Sequence, residues 1–460
     1  MKDLTQGPIS RNLVSLAVPI AAGMLLQTLY YLVDLFFVAR LGDAAMAGVS
    51  AAGNLMFVIF ALTQMLSVGT VTLISHAVGR KDPADAGHIF NQSIALSAVC
   101  ALATLVGGYA FTPAYMRFFG ADVPTVEAGT TYLYWFIPGL ALQFALVALG
   151  SALRGTGIVK PTMAVQALTV VANTILAPIL IAGWGTGHPM GVAGAGLAST
   201  LAIAAGVAFL AVYYVRLEKY VHFDPAQWRP KLATWGRMLN IGLPSGGEFA
   251  LMSVYIGAVY WIIRDFGAAA QAGFGIGGRL MQSIFLPAMA VAFAAAPLAG
   301  QNFGARRYDR VRETFRAAAW SITGLMTALM LLCQWRADWL MRAFTRDPAV
   351  IAIGTEYLRI LSWNFIAMGL VFTAGSLFQA LGNTWPSLAA SAIRLVIFVV
   401  PSVWVSRQPG FQLIDVWHLS VLTVIVQAVI SLTLLRGQFR RRLTPGAAAA
   451  PVAEPERAQA

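Results

Sequence analysis

Asp34 stands between Val33 and Leu35 inside the apolar stretch LYYLVDLFFVA, with Arg40 the nearest flanking charge. Read as a helix, this stretch puts Gln27, Tyr30, Tyr31 and Asp34 on one stripe, at i−7, i−4, i−3 and i. A carboxylate about five residues, or ~8 Å of rise, inside the end of a membrane helix costs at least ~2.5 kcal/mol on insertion scales. Such a group should face a polar cavity, where it can exchange a proton, ligate Na⁺ or attract an organic cation. The plainer alternative is a buried acid that hydrogen-bonds adjacent helices.

Glu248 is the other acid placed within an apolar run, with Ser245, Met252 and Tyr255 on its helical face. It could guide a cationic substrate, carry a second proton, or pair locally, and Arg279 in the next run is the obvious candidate partner. Glu248, Met252, Tyr255 and Arg279 are the candidate substrate-cavity residues, with Arg279 more a structural pair than an anion site, and Arg394, in SAIRLVIFVVP, reads as structural. Pro19 lies fifteen residues before Asp34 and should break one backbone hydrogen bond. A helix that bends there when Asp34 is protonated and a static kink are both compatible with that spacing. Tyr132, Tyr134, Trp135 and Phe136 open the fourth apolar run. Aromatics in that position read as interfacial anchors, although flat lipophilic cations also bind such rings.

Enzymatic chemistry finds no support. There is no helix with paired His and no Ser/His or Asp/Asp spacing, and the five His lie at span ends or in loops. GFGIGG (273–278) lacks the strand and soluble helix that would frame a nucleotide loop. Cys100 and Cys333 sit in apolar runs as packing residues, so neither a metal nor another cofactor is implied.

The elements that must position Asp34 follow from composition. Apolar residues make up 58% of the chain and charged residues 11%, against roughly 25% charged in soluble proteins. Apolar runs of span length occur at 12–38, 50–75, 90–111, 131–153, 162–183, 192–215, 240–264, 275–299, 316–335, 356–380, 388–406 and 415–436. The chain is therefore expected to be an all-α membrane protein of twelve transmembrane helices. The net charge of +12 does not point to nucleic acid, because 21 of the 31 Lys and Arg fall on the side shared by both termini. That is positive-inside bias, and it puts both termini in the cytoplasm. Residues 1–10 show no removable signal peptide pattern.

The sequence also repeats itself at one constant offset, which carries Pro19 onto Pro244 and Leu41 onto Phe266. LGDAAMAGVSAAGNLM (41–56) matches FGAAAQAGFGIGGRLM (266–281), with eight identities in sixteen positions. FFGADVPTVEAGTTYL (118–133) matches AFTRDPAVIAIGTEYL (343–358) at the same offset and without a gap. Two six-helix lobes result, 12–215 and 240–436, related by an axis along the membrane normal with the substrate path between them. A cytoplasmic amino-terminal tail (1–11), a basic cytoplasmic linker (216–239) and a disordered cytoplasmic tail (437–460) complete the expected division.

These residues resemble the multidrug and toxic compound extrusion (MATE) family. The likeness rests on QTLYYLVDLFFVARLGDAAMAG (27–48), the loops at 75–88 and 300–313, GSALRGTG (150–157), GVAGAGLAS (191–199) and FTAGSLFQALGNTWP (372–386). The resemblance implies a monomeric antiporter in the bacterial inner membrane that expels lipophilic organic cations against H⁺ or Na⁺ by alternating access. It further implies that Asp34 is the coupling acid, sharing an amino-lobe pocket with Asn173 and Ser199, where Na⁺ could also bind. Ala177 and Gly369 stand where the family often has further acids, and Glu248 lies about one turn before a familial seventh-helix Glu. The chain thus looks closer to the branch that relies on the amino-lobe acid. A lipid-linked or polysaccharide-precursor flippase of the wider superfamily is the competing reading. An intramembrane enzyme and a passive channel fit less well.

Overall fold

The computed structural model describes residues 1–120 and 122–443. The first half holds α1 (Ile9–Ala39), α2 (Asp43–Gly79), α3 (Pro83–Phe119), α4 (Val123–Gly155), α5 (Lys160–Ala182) and α6 (Val192–Arg216). The second half holds α7 (Leu232–Ile263), α8 (Ala268–Gly304), α9 (Tyr308–Arg342), α10 (Pro348–Ser362), α11 (Asn364–Ala380), α12 (Trp385–Val405) and α13 (Leu413–Arg442). Eleven of these are long and apolar enough to cross a bilayer singly, and α10 with α11 makes a twelfth path bent by 55°.

The repeat is visible in the helix limits. Carried forward by the offset that takes Pro19 to Pro244, α2 reproduces α8, and α4 spans α10 through α11. Local chemistry repeats with it. Asp122 caps α4 by accepting from the Thr125 amide, and Asp347 caps α10 by accepting from the Ala349 amide. Lys81 and Arg306, mates at the same offset, both turn the chain just past a helix end at φ 59° and 57°. Gly48 of α2 lies against the backbone of Gly129 in α4, and Gly273 against that of Gly354 in α10, so each crossing brings two backbones close.

Several helices outrun the apolar runs that announced them. The expected spans 50–75 and 275–299 become 37-residue helices, roughly 55 Å long at the α-helical rise and so well beyond the ~30 Å hydrocarbon core. Helix α7 begins at Leu232, inside the stretch read as linker, and α13 carries residues 437–442 of the expected tail as helix. The rest of that tail, from 444, lies outside the described residues. The tenth span, expected as 356–380, starts at Pro348 and breaks at Trp363. There Gln334 of α9 donates to the Arg359 carbonyl at 2.7 Å, and the Trp363 amide turns instead to Ile360.

Each lobe has its own apolar core. A third core joins them, where Leu13 and Leu16 of α1 and Leu4 meet Ala294 and Leu298 of α8. Hydrogen bonds between the lobes cluster at the end that carries the chain termini. The His76 ring bonds the Ala380 carbonyl at 2.6 Å, and Gln301 donates to the Gly155 carbonyl at 3.0 Å. Phe249 of α7 packs edge-on against Phe57 and Phe60 of α2 near mid-depth.

Candidate functional site

Asp34 lies in the far half of α1, away from the terminal end. It is half-buried and its carboxyl turns into the amino lobe. Ser199 of α6, itself buried, donates to Asp34 Oδ1 at 3.4 Å. The Asn173 amide of α5 faces the same carboxyl, yet neither of its polar atoms makes a hydrogen bond, and both are sealed from solvent. A fully buried amide with nothing to bond is uncommon and calls for a ligand, an ion or a second conformation.

The expected stripe forms around this group. The Tyr30 hydroxyl is buried beside Ser199 without a hydrogen bond of its own, Tyr31 crosses the Tyr30 ring edge-on at 5.9 Å, and Gln27 neighbours the Tyr31 hydroxyl. Helix α1 can present this stripe because it packs along α5 and touches α6. Pro19 lies within α1, which continues past it as one helix.

The structure adds Tyr132 of α4, a residue whose sequence neighbourhood suggested a membrane anchor. Tyr134 and Trp135 are indeed exposed, but Tyr132 and Phe136 are buried, and Tyr132 neighbours Asp34, Tyr30 and Tyr31. The signal that could have found it is the repeat, since its mate Tyr357 is again a tyrosine in one of the best-preserved stretches.

The framework around Asp34 coincides with a family pattern. The MatE family model matches residues 19–179 and 244–405, two copies whose first residues are the repeat mates Pro19 and Pro244. This chain belongs to the MATE family. The probable multidrug resistance protein YpnP of Bacillus subtilis (strain 168) is 25% identical over 90% of each chain. The multidrug export protein MepA of Staphylococcus haemolyticus is 25% identical, covering 87% of this chain and 88% of that one. A solved structure described as the outward-facing conformation of a multidrug resistance MATE family transporter superposes with a TM-score of 0.88 at 24% identity. That match covers 95% of this chain and 97% of the other, and shows the same fold.

Other candidate residues of this MATE transporter are scattered. Glu248 sits half-buried on α7 beside Ser387 of α12. Its expected partner Arg279 is exposed on α8, and among the described residues no ion pair joins the two. The reason is packing: α7 runs along α2 and α12 and leaves α8 soon after the turn that joins them. Met252 is exposed, whereas Tyr255 turns into the carboxyl lobe and its hydroxyl meets Ser420 Oγ at 2.9 Å. A cleft of about 330 Å³ opens between α12 and α13, lined by Ser402, Phe411, Asp415 and His418. It belongs to the other lobe and has no part in the Asp34 site.

Proposed function

We propose that this MATE transporter is a secondary antiporter that exports lipophilic organic cations, drugs among them, in exchange for H⁺. The observation that carries the reading is Asp34 turned into the amino lobe against Ser199 and a buried Asn173 amide without a hydrogen-bond partner. A proton on Asp34 neutralises a charge that is costly at this depth; its departure leaves a carboxylate able to hold a cation. Export by relatives named for multidrug resistance supports the substrate class. The oxygens of Asp34, Asn173 and Ser199 also suit Na⁺, so the driving ion is decided by experiment.

In this reading the protein is a monomer in the bacterial cell membrane, with its lobes at 12–215 and 240–436 and a linker between. Both termini face the cytoplasm, as the positive-inside charge bias favours. The lobes then meet on the cytoplasmic side, and the state described here is open outward. Glu248, Met252 and Arg279 belong to the walls that a substrate would pass.

Efflux of a lipophilic cation from proteoliposomes under an imposed pH or Na⁺ gradient, with Asp34→Asn run beside the native chain, tests the proposal. The native protein should pump under the pH gradient, and the Asn variant should fall to the protein-free baseline. Pumping by the native chain under a Na⁺ gradient alone would replace H⁺ with Na⁺. Normal pumping by Asp34→Asn under either gradient would remove Asp34 from coupling.

A further inference from the structure

The repeat copies the framework of the Asp34 site into the carboxyl lobe and reverses its charge. Tyr255 and Tyr357 are the repeat mates of Tyr30 and Tyr132. Ser420 is the eighth residue of α13, as Ser199 is the eighth of α6. Tyr255 OH and Ser420 Oγ are 2.9 Å apart, the counterpart of the Tyr30 hydroxyl beside Ser199. The counterpart of Asp34 is Val259, fully buried. In place of a carboxylate, this cluster holds Arg394 from α12. Its guanidinium lies 4.7 Å from the centroid of the Tyr255 ring and beside Tyr357.

Arg394 has no ion pair among the described residues, and its Nε is sealed from solvent without a partner. Among the acids on the surrounding helices, Glu248 lies two turns before Tyr255 on α7 beside Ser387, and neither it nor Glu356 of α10 nor Asp415 of α13 forms an ion pair with Arg394. The indole Nε1 of Trp417 is a second buried donor without an acceptor in the same cluster. Trp417 meets Tyr357 edge-on at 4.9 Å and stacks on Phe274 at 5.9 Å, so aromatic faces wall the donors in. A guanidinium at membrane depth needs a counter-charge, and unsatisfied buried donors need acceptors.

We propose that the pocket framed by Tyr255, Tyr357, Arg394, Trp417 and Ser420 binds an organic oxyanion, a carboxylate or a phosphate monoester, carried on a flat apolar body. Arg394 supplies the charge and a planar fork of donors suited to either group. Trp417 and the Ser420 hydroxyl offer further donors, and the rings cover the apolar body. The site does not depend on how Asp34 couples transport.

The test is equilibrium binding to the purified full chain in nanodiscs, using 2-naphthoate, 2-naphthyl phosphate and the neutral methyl 2-naphthoate as probes. At least one anion should bind about tenfold or more tighter than the ester, as a charge-assisted contact would give. Arg394→Gln should erase that preference, Arg394→Lys should restore part of it, and Asp34→Asn should leave it intact. Preference for the naphthoate alone identifies a carboxylate site, and preference for the phosphate alone a phosphate site. Ser420→Ala, which should weaken anion binding severalfold, serves if the Gln variant does not fold. Equal binding of ester and anions, or an anion preference that survives in folded Arg394→Gln, would overturn the proposal. Failure of Asp34→Asn to abolish efflux would leave this site untouched, so the two readings fail separately.

Discussion

At the scale of single residues, Asn173 separates a structural role from a functional one. A hydrogen-bonded buried amide contributes about 1 kcal/mol net, and deleting it strands its partner. The Asn173 amide makes no hydrogen bond in this state, so Asn173→Ala should cost little stability beyond a small void. Its thermal midpoint in detergent should stay within a few degrees of the native chain, while gradient-driven efflux falls steeply. A large drop in midpoint with efflux preserved would make the amide a packing element. Tyr132→Phe keeps the ring against Phe136, 5.4 Å away, and removes one hydroxyl beside Asp34. We expect a folded protein with slower efflux, measured beside Tyr134→Phe, whose exposed ring should tolerate the change. Asp34 was legible in the sequence because a charge deep in an apolar run stands out. Tyr132 was not, because its exposed neighbours Tyr134 and Trp135 gave the whole cluster the appearance of an interfacial belt.

At the scale of helices, close crossings set tolerance to volume. A Cβ on Gly48 would sit 2.7 Å from the Gly129 amide nitrogen and 2.8 Å from the Thr125 carbonyl, both backbone atoms that cannot step aside. Its repeat mate Gly273 would meet the Ile353 Cγ2 at 2.9 Å, and its nearest backbone atom, the Gly354 nitrogen, only at 3.3 Å. Gly48→Ala should therefore destabilise by about 1–3 kcal/mol, and Gly273→Ala by less. Thermal unfolding of the two variants side by side checks the order, and a reversed order would refute it. Hydropathy located every span because each helix must hide its backbone from lipid. It could not locate the ends of α2 and α8, since a helix continues into polar surroundings wherever neighbours support it. The break at Trp363 was hidden for another reason: its cause, Gln334, comes from a different helix, and no local pattern announces it. The supposed pairing of Glu248 with Arg279 failed in the same way, because helices adjacent in sequence separate in space.

For the whole molecule, the seam between the lobes is where the proposed alternation would act. At the terminal end it brings repeat mates together: Gly79 approaches the Gln301 carbonyl while Gly304 approaches the His76 carbonyl. Residues 2–7 lie across this seam. The Leu4 amide donates to Gln301 Oε1 at 2.9 Å, the Lys2 amide donates to the Thr156 carbonyl at 2.9 Å, and Arg310 donates to the Gly7 carbonyl at 2.9 Å. These contacts tie the turn after α4 of the amino lobe and helices α8 and α9 of the carboxyl lobe to one strap, whose bonds to one lobe must break if this end is to open. A side chain at Gly304 would strike the His76 backbone of the opposite lobe, at the terminal edge of the amino-lobe core. Gly304→Val should thus disfavour the state in which this end is closed. Spin labels at Lys81 and Arg306, repeat mates at the terminal end, should move apart in the variant. Labels at Arg117 and Arg342, repeat mates at the far end, should draw together. If both distances in Gly304→Val match the native chain, the seam is not the element that sets which end is open.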